Sequence, residues 1–137
     1  MTHAFVDTSA FLALLVRSDR SHSDARRGFD RLRAARAILV TTSYVLLETC
    51  ALLQRRIGME ALADFRREFV PCLEVVWVDA DLHERGLDIV VERGTRDLSL
   101  VDAVSFEVMR ERGLGAAFAY DRHFEDEGFE RVRGGGS

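Results

Sequence analysis

The chain has 137 residues, 47% of them hydrophobic, and a formal net charge of −4. That length suits one domain with a substantial core, and no apolar run approaches the roughly 20 residues that a membrane span requires. All 19 cationic residues are Arg, which excludes chemistry built on a lysine, such as P-loop phosphate transfer or Schiff bases, and the acidic balance excludes a global basic field for nucleic acid.

The amino end opens on a strand with no cleavable signal pattern, so a cytoplasmic location is expected. His3 to Val6 forms that strand, which ends on Asp7; Thr8 and Ser9 follow, then a buried helix over residues 10–16. Thr8 or Ser9 can cap this helix, which leaves Asp7 beside free backbone donors. Residues 21–36 place Ala25, Phe29, Leu32 and Ala35 at helical spacing and predict an amphipathic surface helix. Its Arg26, Arg27, Arg31, Arg33 and Arg36 face solvent in this reading, with contact to RNA or a partner as the alternative.

Residues 37–41 predict a second buried strand. A helix from about Ser43 to Arg56 follows, ended by Gly58. Its apolar positions are nearly continuous, and Glu48 sits among them. A carboxylate there is costly unless an arginine pairs with it or a metal binds it, and the other acids of the chain favour the metal. Cys50 and Cys72 lack metal-type spacing and read as buried reduced thiols.

Met59 to Leu73 predicts a further helix that ends near Pro71, and residues 74–78 predict a third strand. Asp79 and Asp81 read as caps of a helix from His83 to Arg93, stopped by Gly94, and His83 as a surface or packing residue rather than a catalytic base. Asp97 lies in the next loop, where it caps, orients or joins the site. Ser99 caps a helix whose first turn carries Asp102, a favoured place for a carboxylate. Ala116 to Tyr120 reads as a buried strand that ends on Asp121, followed by a short helix with His123 and Phe124. Residues 128–132 read as an edge strand. The expected organisation is a single domain over residues 1–132 and a flexible Gly-rich tail over 133–137.

Strand and helix alternate, which argues for an α/β fold with a mostly parallel sheet covered on both faces. Ligands of such sheets bind outside the carboxyl ends of the strands. Asp7, Glu48, Asp102 and Asp121 all fall near helix starts or strand ends, so one crevice can collect them. Converging carboxylates repel unless protons or cations relieve them. Oxygen-only ligands favour Mg2+ or Mn2+, which also take up phosphate oxygens of a substrate. Such ions activate water and stabilise a leaving oxygen, so the protein needs no covalent nucleophile.

These residues resemble the PIN-domain family and, within it, the VapC-type toxins of bacterial toxin–antitoxin pairs. The resemblance is carried by Phe5-Val-Asp-Thr-Ser-Ala-Phe11, by Tyr44-Val-Leu-Leu-Glu-Thr49, by Leu98-Ser-Leu-Val-Asp-Ala-Val-Ser-Phe106, and by Ala119-Tyr-Asp-Arg-His-Phe124 with Gly128-Phe129 after it. It implies a three-layer α/β/α sandwich and a Mg2+- or Mn2+-dependent endoribonuclease whose acidic quartet is Asp7, Glu48, Asp102 and Asp121. Thr8 or Ser9 would support the first acid through a hydroxyl. Val101 and Ala119 stand where the family often has hydroxyl residues, which touches the supporting hydrogen bonds rather than the ligands. The resemblance also implies an RNA substrate, a VapB-type antitoxin as partner and a homodimer. Arg122 and His123, beside Asp121, are candidate RNA contacts.

Two readings compete. A non-catalytic PIN-like module that binds RNA or protein would have no reason to keep four mutually repelling acids. A phosphatase of the haloacid dehalogenase type needs a second Asp where Ser9 stands and a lysine that is absent.

Overall fold

A computed structural model describes residues 2–135. The strands are β1 (His3–Val6), β2 (Ile38–Thr42), β3 (Leu73–Val76), β4 (Ala116–Phe118) and β5 (Glu130–Arg131). The helices are α1 (Thr8–Leu15), α2 (His22–Ala34), α3 (Ser43–Leu52), α4 (Met59–Asp64), α5 (Ala80–Arg93), α6 (Leu100–Arg112) and α7 (His123–Asp126). Among the described residues the strands form one five-stranded sheet in the order β3-β2-β1-β4-β5. Every pairing is parallel. Successive residues of a strand point to opposite faces; Ala4, Phe5 and Val6 are all buried, so the central strand is covered on both sides. This is the expected α/β/α sandwich.

The strand order places the site. From β1 the chain moves outward to β2 and β3, then returns to lay β4 on the other side of β1. The boundary between β1 and β4 is therefore the point where the order reverses, and in open α/β sheets the ligand crevice lies there. Val6 pairs with Phe118 in register; β4 stops at Phe118 rather than at the expected Tyr120, so Asp7 directly follows its strand and Asp121 lies three residues beyond the neighbouring strand end.

Several boundaries differ from the sequence reading. Asp7 itself, not Thr8 or Ser9, is the N-cap of α1. The helix expected over 43–56 is α3 followed by a π-helical turn, Leu53–Ile57, that closes at Gly58 with φ 130°. The helix expected over 59–73 is broken into α4, a π-helical turn Phe65–Phe69 and a 3₁₀ turn Val70–Cys72 around Pro71. Pro71 has no N–H to donate, which keeps the α-helix from continuing through it. α5 begins at Ala80 because Asp79 caps it, its side chain accepting from Leu82 N at 2.9 Å. The tail read over 133–137 lies partly outside the described residues; within them Gly134 is buried and donates to Asp24 Oδ1 at 3.0 Å.

Large aromatic side chains fill the core. Phe5, Phe11, Phe65, Phe106, Phe118 and Phe124 are fully buried. Phe106 meets Phe124 edge-on at 5.1 Å between centroids, and Phe11 meets Phe65 in the same manner at 4.9 Å, the geometry that ring quadrupoles favour. The first pair docks α7 against α6. No helix among the described residues is long and apolar enough to cross a membrane.

α5 packs tightly on α6 at Gly86, where an added Cβ would lie 2.5 Å from Val104 Cγ2. Alanine raises helix propensity over glycine by about 1 kcal/mol, but Val104 is fully buried and a β-branched side chain in a helix has few rotamers to escape into. Overpacking of this kind costs about 1–3 kcal/mol and wins. Gly86→Ala is thus expected to lower the urea midpoint without changing the slope of the transition, although the same change at an open helix site would raise it.

Candidate active site

Asp7 sits where β1 ends. Its N–H donates to Phe118 O of β4 at 3.1 Å, and its Oδ2 accepts from Ser9 N at 3.2 Å and Ser9 Oγ at 2.8 Å. Ser9 Oγ in turn accepts from Tyr120 N at 2.8 Å. One hydroxyl therefore aims the first acid and pins the chain leaving β4. Asp7 is only 3% exposed. Burial pushes its pKa up most strongly, the Ser9 hydrogen bonds oppose this, and the carboxylates of Asp102 and Glu48 raise it further, to about 7.

Thr8 does not share this task. Its hydroxyl donates to Val45 O at 3.4 Å and accepts from Thr49 Oγ1 at 3.1 Å. Thr8 thereby ties α1 to α3, and Thr49 stands next to the half-buried Glu48. Of the two hydroxyls read as supports of Asp7, Ser9 contacts the carboxylate and Thr8 instead holds the helix that carries the second acid.

Ser99 caps α6, its Oγ accepting from Asp102 N at 3.1 Å. Asp102 is buried in the first turn, near the partial positive charge of the helix start. Burial is the largest influence raising its pKa; a hydrogen bond from His123 opposes it, and the carboxylates of Asp121 and Glu48 add to the rise. Asp121 is half-buried, and its Oδ1 accepts from His123 N at 2.9 Å, a local turn that Asp favours.

That turn swings the His123 ring back between two acids. Its Nδ1 lies 2.7 Å from Asp102 Oδ2 and 3.2 Å from Asp121 Oδ1. Carboxylates only accept, so Nδ1 carries the hydrogen here. The Asp102 hydrogen bond raises the His123 pKa most, with the Asp121 charge acting in the same direction. The sequence reading placed His123 against RNA; the fold places it inside the acidic cluster. The signal was available in Asp121-Arg-His123, where a two-residue step after a strand-end acid lets a side chain turn back. Arg122 and Asp97 are exposed.

The four acids thus face one another electrostatically: Asp7 feels Asp102 and Glu48, and Asp102 feels Asp121 and Glu48. Among the described residues no arginine pairs with any of them; His123 is the one cationic partner.

The model of the PIN domain family matches residues 4–130. The chain belongs to the PIN-domain family. A similar curated protein is the 23S rRNA-specific endonuclease VapC20 of Mycobacterium tuberculosis, 39% identical over 131 residues, with 94% of this chain and 97% of that protein covered. The crystal structure of the same Mycobacterium tuberculosis VapC20, described as a Sarcin-Ricin loop cleaving toxin, superposes with a TM-score of 0.80 at 40% identity, covering 95% of this chain and 98% of that one. A DNA-bound VapBC from Salmonella typhimurium shares the fold at 16% identity, with a TM-score of 0.67 and coverage of 96% and 97%. FitAcB from Neisseria gonorrhoeae does so at 11% identity, with a TM-score of 0.66 and the same coverage.

PIN-domain nucleases use a divalent metal, and this PIN domain has the residues for one. Asp102, Asp121 and His123 each offer a ligand atom, all within 4.8 Å of one another. Asp7, buried and pushed toward neutrality, has its charge restored at physiological pH when a cation stands near it. The donor set fits a hard divalent ion.

Proposed function

We propose that this PIN domain is an endoribonuclease toxin of the VapC kind, which hydrolyses RNA phosphodiester bonds at Asp7, Glu48, Asp102 and Asp121 with Mg2+ or Mn2+. One observation carries the reading. Asp7 is buried without a pairing arginine and within the fields of Asp102 and Glu48. A protein that only binds RNA would gain stability by replacing such a residue, because an uncompensated buried charge is costly.

When bound, the divalent cation would supply an activated water and neutralise charge on the scissile phosphate. The chain's own residues do the rest. Ser9 holds the Asp7 carboxylate in one orientation through two donors. The α6 N-terminus and its Ser99 cap fix Asp102. Asp121 and Glu48 approach from other elements and complete the negative crevice. Exposed arginines, Arg122 among them, are available to phosphate oxygens by bidentate contacts. That supplies local attraction which the net charge of −4 does not.

Likeness to VapC20 over nearly the whole of both chains supports 23S rRNA, and its sarcin–ricin loop, as the first substrate to try. A VapB-type antitoxin as partner, a homodimeric state and a cytoplasmic location belong to the same proposal. An open, largely apolar groove of about 730 Å³, lined by Leu46, Cys50, Met59, Leu62, Phe65 and Val70 with Arg66 and Arg67 beside them, gives such a partner a surface. The test uses a labelled sarcin–ricin hairpin and a scrambled RNA of equal length. Cleavage at one position of the hairpin with Mn2+ or Mg2+, lost in excess chelator, is expected. Undiminished cleavage in chelator, or no cleavage of any RNA with either ion, would overturn the reading.

A further inference from the structure

The ligand set read from the sequence is made of oxygen alone, and the fold sets an imidazole beside two of those acids. We propose that His123 is itself a ligand of the divalent cation, its Nδ1 joining Asp102 and Asp121 as a nitrogen donor that tilts the site toward Mn2+ over Mg2+. This rests on the cation-dependent nuclease reading and deepens it.

Spacing is the first argument. Nδ1 lies 2.7 Å and 3.2 Å from the nearest oxygens of Asp102 and Asp121. Neighbouring ligand atoms around an octahedral ion with 2.0–2.1 Å bonds stand about 3 Å apart. The imidazole thus holds a ligand's separation from both acids. Its position is also built in rather than incidental. His123 N donates to Asp121 Oδ1, and the next residue, Phe124, is buried against Phe106. Phe106 lies one helical turn beyond Asp102 on α6, so core packing delivers the ring to that acid.

Coordination uses the Nδ1 lone pair. The ring then keeps its hydrogen on Nε2, and an imidazolium ring releases its Nδ1 proton to solvent on ion binding. Ion choice follows from donor type. Mg2+ takes oxygen and sheds water reluctantly; Mn2+ also prefers oxygen, but as the first divalent ion of the Irving–Williams series it accepts an imidazole nitrogen more readily than Mg2+ does. A ring that merely hydrogen-bonds to the acids would orient them for either ion alike.

The experiment is pulsed EPR on the Mn2+-loaded protein, paired with calorimetric titration of Mn2+ and of Mg2+. A ¹⁴N coupling to Mn2+ is expected, converting to the ¹⁵N pattern when histidine is ¹⁵N-labelled and vanishing in His123→Ala. The substitution should weaken Mn2+ binding by at least about tenfold and Mg2+ binding by clearly less. Bound Mn2+ with no histidine nitrogen coupling, or equal losses for the two ions, overturns the proposal and leaves the nuclease reading standing. Absence of binding of either ion to the unaltered chain overturns both. If His123→Ala fails to fold, the labelled unaltered protein still decides.

Discussion

Asp102→Asn and Asp7→Asn are each expected to reduce cation-dependent RNA cleavage by at least about a hundredfold, the scale on which removal of a single transition-state stabilising group is felt. The substitutions are chosen so that the fold survives. Asn caps a helix about as well as Asp, so α1 keeps its cap, and the Asn carbonyl still accepts from Ser9. At position 102 the side-chain carbonyl still faces His123, and the backbone N–H still reaches Ser99 Oγ. What is lost is one negative charge in a crevice that needs it to hold a cation. Asp79→Asn is the control, since Asp79 caps α5 outside the acidic cluster. Initial rates on the RNA hairpin at saturating Mn2+, beside thermal melts of each variant, make the comparison. A folded Asp102→Asn protein with unaltered rate would remove the quartet from the chemistry.

Without a divalent cation, the protein is expected to melt at a higher temperature at pH 5.5 than at pH 8. The sign follows from three groups that act together. Asp7 and Asp102 have folded pKa values above the ordinary carboxylate value of 3.8. In the interval between the two, the folded chain binds protons that the unfolded chain has released, so stability falls as pH rises. His123 also has a raised pKa; its contribution is complete below the ordinary 6.5 and is lost as pH climbs through the folded value. The oppositely shifted carboxyls, Asp24 and Glu127, contribute above their ordinary values and lose that contribution only as pH falls through their lowered ones, outside this window.

Asp7 dominates because it is the most buried of the three. The interval from 3.8 to about 7 corresponds to up to about 4 kcal/mol at pH 8. Asp7→Asn therefore stabilises the cation-free protein at pH 8 and flattens its pH dependence. Millimolar Mn2+ raises the melting temperature of the unaltered protein at pH 8 and has less effect on the variant, because binding to the folded state alone stabilises it. Differential scanning calorimetry in chelator and in Mn2+ measures all four conditions. A cation-free melting temperature that is level or rises from pH 5.5 to 8 would contradict the burial of Asp7 as an uncompensated acid.

Local chemistry made much of this molecule legible from its residues. Strand-end acids, the Ser99 cap before Asp102 and the alternation of strand with helix are short-range patterns, and hydrogen bonds or side-chain periodicity over a few residues carry them. They were enough to name the sandwich and to single out the four acids as candidates. They failed where a local rule had two solutions. Thr8 and Ser9 are chemically equivalent as caps; only the packing of α1 on α3 sends the Thr8 hydroxyl to Val45 and Thr49 and leaves Ser9 for the acid. The long helix drawn from Met59 onward gives way to a π-helical turn and to a 3₁₀ turn around Pro71, and from there Phe65 and Phe69 both pack on Phe11, a contact from outside the segment.

His123 shows the division most sharply. Its neighbours in sequence include Asp121, which makes a role near the site unsurprising, but its bond to Asp102 spans 21 positions. That bond exists because β4 returns beside β1 and because Phe124 packs on Phe106. Sequence alone determined which side chains carry charge and which ends of strands and helices present them. Tertiary structure decided which of those charges stand within reach of one another, since separation in space is set by strand order and core packing, which depend on the whole chain at once.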